Sequence, residues 1–146
     1  PEAVIRTQFI VGFPGEGEEE FAELLDFVEQ QKFDRVGCFK YSPQDGTAGG
    51  KITEELVDED VKEERFHRLM SLQQKMSKKI HKRFVGKKVS VIVDGLSEES
   101  ELLLQGRTSQ QAPGIDGVVL INDGDAKVGD IVEVKITESH DYDLVG

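Results

Sequence analysis

The stretch Phe9-Ile10-Val11-Gly12-Phe13-Pro14-Gly15-Glu16 constrains this chain more than any other. Its apolar run stops at a glycine/proline turn, and the glutamates that follow open a helix. A short apolar run of this kind predicts a parallel strand with helices around it. Gly12 and Gly15 give the turn access to positive φ, and Pro14 fixes φ between them. Open α/β sheets take their ligands at the carboxyl ends of such strands, where the following loop is free to vary. The turn is therefore a candidate ligand edge. A connection that only packs well is the competing reading.

The first strand is expected over Ala3 to Val11 and the first helix from Glu18 to about Gln31. Phe21, Leu24, Leu25 and Val28 fall at i, i+3, i+4 and i+7, one apolar stripe. Glu18, Glu19 and Glu20 lie in the first turn, where the helix dipole favours negative charge, so they read as helix-start residues rather than as paired acid/base carboxylates. A second strand is expected from Arg35 to Tyr41, centred on Val36-Gly37-Cys38-Phe39. Strand, helix and strand with short links form a right-handed βαβ unit with parallel pairing. One unit cannot close a sheet, so further strands are expected upstream. Tyr41 to Gly50 is a loop at a second carboxyl end, and its composition leans to a tether.

From about Val57 to Arg83 the chain reads as one helix with Asp58 at its N-cap. Val61, Phe66, Leu69, Met70, Gln73, Met76 and Ile80 mark its buried stripe. Acidic residues crowd its start, and Lys78, Lys79, Lys82 and Arg83 crowd its end, as the dipole favours. The basic end could grip phosphates, although a solvated, dipole-matched helix end explains the same residues. His67 and His81 stand about 21 Å apart along the axis, too far to share a metal, and read as surface or boundary residues.

At Phe84 the pattern changes to alternation. Five short strands are expected, at Lys87–Asp94, Leu102–Arg107, Ile115–Ile121, Asp130–Glu138 and His140–Val145. Asp94-Gly95, Pro113-Gly114, Asn122-Asp123-Gly124 and Val128-Gly129 break them. Five strands in about sixty residues predict a small OB-like antiparallel β-barrel. The fold class is thus α/β over residues 1–83, followed by a β-barrel over residues 84–146.

The chain has 146 residues, 37% hydrophobic and 32% charged, with a net charge of −11. That balance is poor footing for nucleic acid and good footing for a basic protein partner. No run approaches the roughly 18 apolar residues of a membrane span, and no leader is seen, so a cytoplasmic location is expected. Pro1, with no methionine before it, suggests a piece cut from a longer chain. The single cysteine, Cys38, rules out a cysteine-rich metal site or an internal disulfide made by this segment alone. Its apolar neighbours suggest an inert thiol.

Ile10 to Glu16, Phe33-Asp34-Arg35-Val36-Gly37, Phe39-Lys40-Tyr41-Ser42-Pro43 and Gly46-Thr47 together resemble the C-terminal part of a radical-SAM methylthiotransferase. The β-rich end resembles the TRAM module that follows the catalytic barrel in that family. Val128-Gly129-Asp130 and the closing His140 to Gly146 resemble the branch that modifies an aspartate of a small-subunit ribosomal protein. The other branch modifies an adenosine of tRNA.

The resemblance implies that the two strands are the fifth and sixth of an incomplete barrel. Ile10 and Gly12 would then line the adenine of S-adenosylmethionine, with Phe39 and Tyr41 bordering the pocket and Phe13, Pro14 and Gly15 forming its turn. Gly17 departs from the threonine usual in the family, which weakens the helix cap. The resemblance also implies two [4Fe-4S] clusters, which generate the 5′-deoxyadenosyl radical and handle sulfur. Their cysteine ligands are not in this chain, so alone it is expected to be inactive.

Residues 84–146 carry five basic and twelve acidic side chains, a net charge of −7, with Phe84 and Tyr142 as their only aromatics. Such a module is expected to dock a basic small-subunit ribosomal protein, through acidic residues such as Glu98, Glu99 and Asp125, and to disfavour RNA. The tRNA branch and a non-catalytic RNA- or protein-binding barrel are the alternatives. A cluster of basic residues on one barrel face would favour the former.

Overall fold

The structure, a computed structural model, describes residues 3–98, 100 and 102–146; Glu99 and Glu101 lie outside the described residues. Its contacts divide the chain into Pro1–Met76 and Ser77–Gly146, two compact units described separately below.

In the first unit β1 (Arg6–Val11), α1 (Glu18–Gln31) and β2 (Arg35–Lys40) form the expected βαβ element. β1 and β2 pair in parallel, with Ile10 opposite Phe39 and Val11 opposite Lys40. Gly17 caps α1 without a side chain to offer, and Glu20 compensates by accepting the Gly17 N–H at 2.9 Å. Lys32 ends the helix in the left-handed conformation. Phe21 and Val28 on the stripe of α1 are fully buried with Val11, Val36, Cys38, Leu69 and Met76. Burying a side chain of this size contributes about 1.5–3 kcal/mol, so α1 is held chiefly by this one face.

The loop after β2 is not the tether its composition suggested. Thr47 Oγ1 donates to the Gln44 carbonyl at 2.8 Å, the Gly50 N–H donates back to Thr47 Oγ1 at 3.0 Å, and a 3-10 turn follows at Gly49–Lys51. α2 (Glu59–His81) starts just after Asp58, whose carbonyl accepts the Lys62 N–H at 3.0 Å, as its N-cap position requires. A 3-10 turn at Lys82–Phe84 ends the helix.

Among the described residues the second unit contains a curled sheet of six strands rather than five: β3 (Lys88–Leu96), β4 (Leu104–Arg107), β5 (Val119–Ile121), β6 (Ile131–Lys135), β7 (Glu138–Ser139) and β8 (Leu144–Val145). The order is β6-β3-β4-β5-β8-β7. It is not wholly antiparallel, because β5 and β8 run parallel. The extra strand arises where Asp130–Glu138 was expected to be continuous. Thr137 instead bends the chain and bonds to Val145, so β6 and β7 supply the two opposite edges of the sheet from one stretch of chain. Residues 113–116 turn, with the Asp116 N–H bonding back to the Ala112 carbonyl at 3.2 Å, so the strand expected from Ile115 begins only at Val119. Val91, Val93, Val119, Val134, Ile136 and Leu144 fill the curl.

Candidate functional site

Phe13 to Glu16 close a tight turn. The Glu16 N–H donates to the Phe13 carbonyl at 2.9 Å, Pro14 occupies the second position, and Gly15 has φ +87° at the third. That combination of proline, then glycine at positive φ, is the signature of a type II turn. Gly12 has φ +77°, and a Cβ there would run into the Lys62 side chain, so two independent constraints demand glycine.

Glu16 turns back over the loop it ends. Its Oε1 accepts the Gly12 N–H at 2.8 Å and Arg65 Nη1 at 2.7 Å, and the same Nη1 donates to the Glu16 carbonyl at 2.8 Å. Arg65 is only 5% exposed, and its guanidinium lies 5.5 Å from the centre of the Phe21 ring. Gly15 N–H donates to the Glu55 carbonyl at 2.9 Å. The turn is thus clamped from three sides before any ligand arrives.

The end of β2 is fastened to α2. Lys40 Nζ lies 2.6 Å from Glu59 and 2.6 Å from Glu63, and Lys62 Nζ donates to the Tyr41 carbonyl at 3.2 Å. The hydrogen bonds that the Lys40 ammonium donates to the two carboxylates push its pKa upward, and the same bonds hold Glu59 and Glu63 below the ordinary carboxylate value.

The α-helices pack on the sheet face that carries Val11, Val36 and Cys38. The opposite face carries Ile10 and Phe39, neighbours in register and 59% and 53% exposed. Just beyond them, at the carboxyl ends of the strands, the Phe13 and Tyr41 rings meet edge to face with centres 4.9 Å apart. Tyr41 Oη is buried with no hydrogen-bond partner, and a Cβ on Gly49 would come within 2.8 Å of it. Ile10, Gly12, Phe13, Pro14, Gly15, Phe39 and Tyr41 therefore share one end of the two-stranded sheet. Glu16, Arg65 and Lys62 join them unforeseen. The signal for Arg65 was its place midway between Val61 and Leu69 on the buried stripe of α2, where an apolar residue is expected.

Cys38 is buried, and burial first, then the charge of Glu16, push its thiol up to about 11. It is a packing residue. Among the described residues no group of three His, Cys, Asp or Glu side chains is placed to hold a metal ion. His67 is exposed beside Glu63 at 3.0 Å, but His81 is buried, contrary to the surface or boundary position expected of it. It faces the His140 carbonyl at 3.4 Å, next to Ser77, whose hydroxyl donates to the Asp141 carbonyl at 2.7 Å.

In the second unit a cleft of about 580 Å³ is bordered by Asp94, Glu98, Asp116 and Asp143, with Arg107 as its cation. Arg107 Nε is committed to Asp94 at 2.7 Å. Another cleft, of about 450 Å³, carries Asp123, Asp125 and Glu133. Phe84 packs against the core, leaving Tyr142 as the exposed ring of this unit. Among the described residues no helix is long and apolar enough to cross a membrane.

Residues 85–146 match the TRAM domain family, which accounts for the curled sheet. Over its whole length the chain matches part of proteins named as methylthiotransferases. It is 62% identical to the ribosomal protein uS12 methylthiotransferase RimO of Bdellovibrio bacteriovorus, 52% to that of Geobacter sulfurreducens and 51% to that of Citrifermentans bemidjiense. All 146 residues are covered in each comparison, and the chain spans 32% of each relative's length.

Proposed function

We propose that this chain is the C-terminal portion of a radical-SAM methylthiotransferase that adds a methylthio group to an aspartate of ribosomal protein uS12. The observation that carries the reading is the bare sheet face at Ile10 and Phe39. Two apolar side chains stand in register and open to solvent, beside a glycine turn clamped into shape and at the carboxyl ends of two parallel strands. An apolar pair of this width suits the flat face of an adenine, and the backbone groups of the turn suit its edge. Ile10, Gly12, Phe39 and Tyr41 would hold S-adenosylmethionine, with Phe13, Pro14 and Gly15 shaping the rim. When bound, that cofactor supplies radical and methyl-transfer chemistry. This chain's residues would bind and orient it. The two [4Fe-4S] clusters do not fit here, because the single thiol is buried and protonated at neutral pH. Their ligands would come from the remainder of the protein.

The second unit would serve as the substrate dock. Uncommitted carboxylates such as Glu98 and Asp125 border its clefts, and a ribosomal protein is basic as a class, so charge favours the encounter. The tRNA branch would need stacking rings at this sheet, and among the described residues Tyr142 is the exposed ring. The test is binding of purified uS12 to the full chain and to a Glu98→Lys/Asp125→Lys variant at low and moderate salt. Weaker, less salt-sensitive binding by the variant is expected. Equal affinity at low salt would sink the electrostatic dock.

A further inference from the structure

We propose that β6 is an open sheet edge that takes an extended, basic stretch of polypeptide as an added strand. The proposal deepens the docking reading and rests on it only for the identity of the protein that supplies the stretch.

A strand inside a sheet satisfies its backbone on both sides, whereas an edge strand leaves one row of N–H and C=O groups unpaired. β6 pairs with β3 alone and stands at the end of the sheet order. The parity of that ladder fixes which of its groups are used. At one end the Ile136 N–H donates to the Lys87 carbonyl at 2.9 Å, and at the other the Val93 N–H donates to the Asp130 carbonyl at 2.9 Å. The even-numbered residues therefore bond to β3, and the backbone groups of Ile131, Glu133 and Lys135 point the opposite way. Among the described residues these three find no backbone partner on that side.

The next residues of the chain show what closure looks like. The Thr137 N–H donates to the Val145 carbonyl at 2.7 Å, which joins this stretch to β8. Before Thr137 the curl stays open, and the gap is the cleft of about 450 Å³. Residues 132–135 form one of its walls, and Ile121 with the 122–126 turn forms the other. At about 3.3 Å per residue, β6 offers a template roughly 17 Å long.

The walls select the occupant. Asp123, Asp125 and Glu133 face one cation, Lys135, and among the described residues none of the three carboxylates is in an ion pair. On the inner side Val134 is buried and Val132 half-buried, while Ile131 is exposed on the outer side. A strand laid along β6 sets basic side chains beside Glu133 and apolar ones beside Val132 and Val134. A polypeptide backbone brings both donors and acceptors to the open row, as strand addition requires. A phosphodiester chain brings acceptors only, and the carboxylates repel it. A second copy of this chain is the poorer occupant, because it carries the same acidic walls to the same cleft.

The experiment adds a labelled peptide of alternating lysine and valine, about ten residues long, to the full chain. Binding is read by fluorescence anisotropy and by hydrogen exchange of single backbone amides. The Ile131 and Glu133 amides should exchange readily in the free chain and slow at least about tenfold with peptide bound. Glu133→Pro removes an edge N–H and leaves the β3 ladder intact, a place where sheets tolerate proline. It should weaken the peptide at least about tenfold, the fold being checked by circular dichroism. A peptide of the same sequence with every backbone amide methylated tests the same bonds on the unaltered chain, and it should not bind.

Equal binding of the methylated peptide, no binding of the parent peptide, or amides left unprotected at saturation would overturn the inference. So would protection that rises with protein concentration in the absence of peptide, the mark of two copies pairing. Purified uS12 is run beside the peptide. If uS12 binds and the peptide does not, the open edge is wrong and the dock stands. If the peptide binds and uS12 does not, the edge stands and the dock fails.

Discussion

Arg65 Nη1 lies 2.7 Å from Glu16 Oε1, and this largely buried pair joins the middle of α2 to the turn after β1 across 49 residues of sequence. The same carboxylate oxygen accepts the Gly12 N–H, so the shape of the candidate cofactor turn depends on an arginine that does not itself border the open face. Removing one partner strands the other charge in a desolvated place, which typically costs about 3–5 kcal/mol. Glu16→Gln and Arg65→Met should each lower the unfolding midpoint sharply. In denaturant titrations, the double substitution should cost less than the sum of the singles, because no lone charge is left behind.

Lys40 bridges the end of β2 to Glu59 and Glu63 on the first turns of α2. Both carboxylates are held below the ordinary value of 4.5, so their contribution is present above that value and lost as pH falls through the lower folded values. All three groups are solvated, which keeps the effect small and sensitive to salt. Lys40→Gln should narrow the melting-temperature difference between pH 7 and acid at low ionic strength. At high salt the variant and the wild type should coincide.

Cys38 should resist alkylation in the folded chain and react readily once the chain is unfolded. Its folded value of about 11 stands above the ordinary 9.0, which favours the folded state while the thiol is protonated. That contribution is complete below pH 9 and disappears as pH rises toward 11. Stability measured by urea titration should decline over that interval. The decline should be shallower in Cys38→Ala, read against that variant's own value at pH 8.

Gly106 of β4 stands opposite Val93 of its antiparallel neighbour β3. A Cβ there would strike the Ile92 carbonyl and come within 2.6 Å of Val91 Cγ1. Gly106→Ala should destabilise the TRAM sheet by about 1–3 kcal/mol, the usual cost of overpacking. Thermal unfolding followed by circular dichroism checks it.

Most of the first unit was legible from periodicity alone, because α1, β1 and β2 each bury one face and the 3.6- and 2-residue patterns record that burial directly. The turn was legible too, since proline followed by glycine permits few geometries. The clamp was not. Glu16 and Arg65 read as an ordinary charged loop residue and an ordinary charged helix residue, and only the fold brings them together. In the second unit the sequence pattern located the strand-rich region but not the parallel β5–β8 pairing or the bend at Thr137, which depend on non-local hydrogen bonds. Net charge was the weakest guide. A value of −7 for residues 84–146 is an average over the unit and places none of its charges.

The most direct measurement is made on a hybrid in which this chain replaces the matching third of the Bdellovibrio bacteriovorus relative. Methylthiolation of uS12 is followed by mass spectrometry as S-adenosylmethionine is varied. The hybrid should modify uS12, and Ile10→Ser/Phe39→Ala should raise the KM for S-adenosylmethionine at least about tenfold without loss of folding. An unchanged KM in that variant, or a folded hybrid that modifies tRNA and leaves uS12 untouched, would contradict the assignment of the open sheet face.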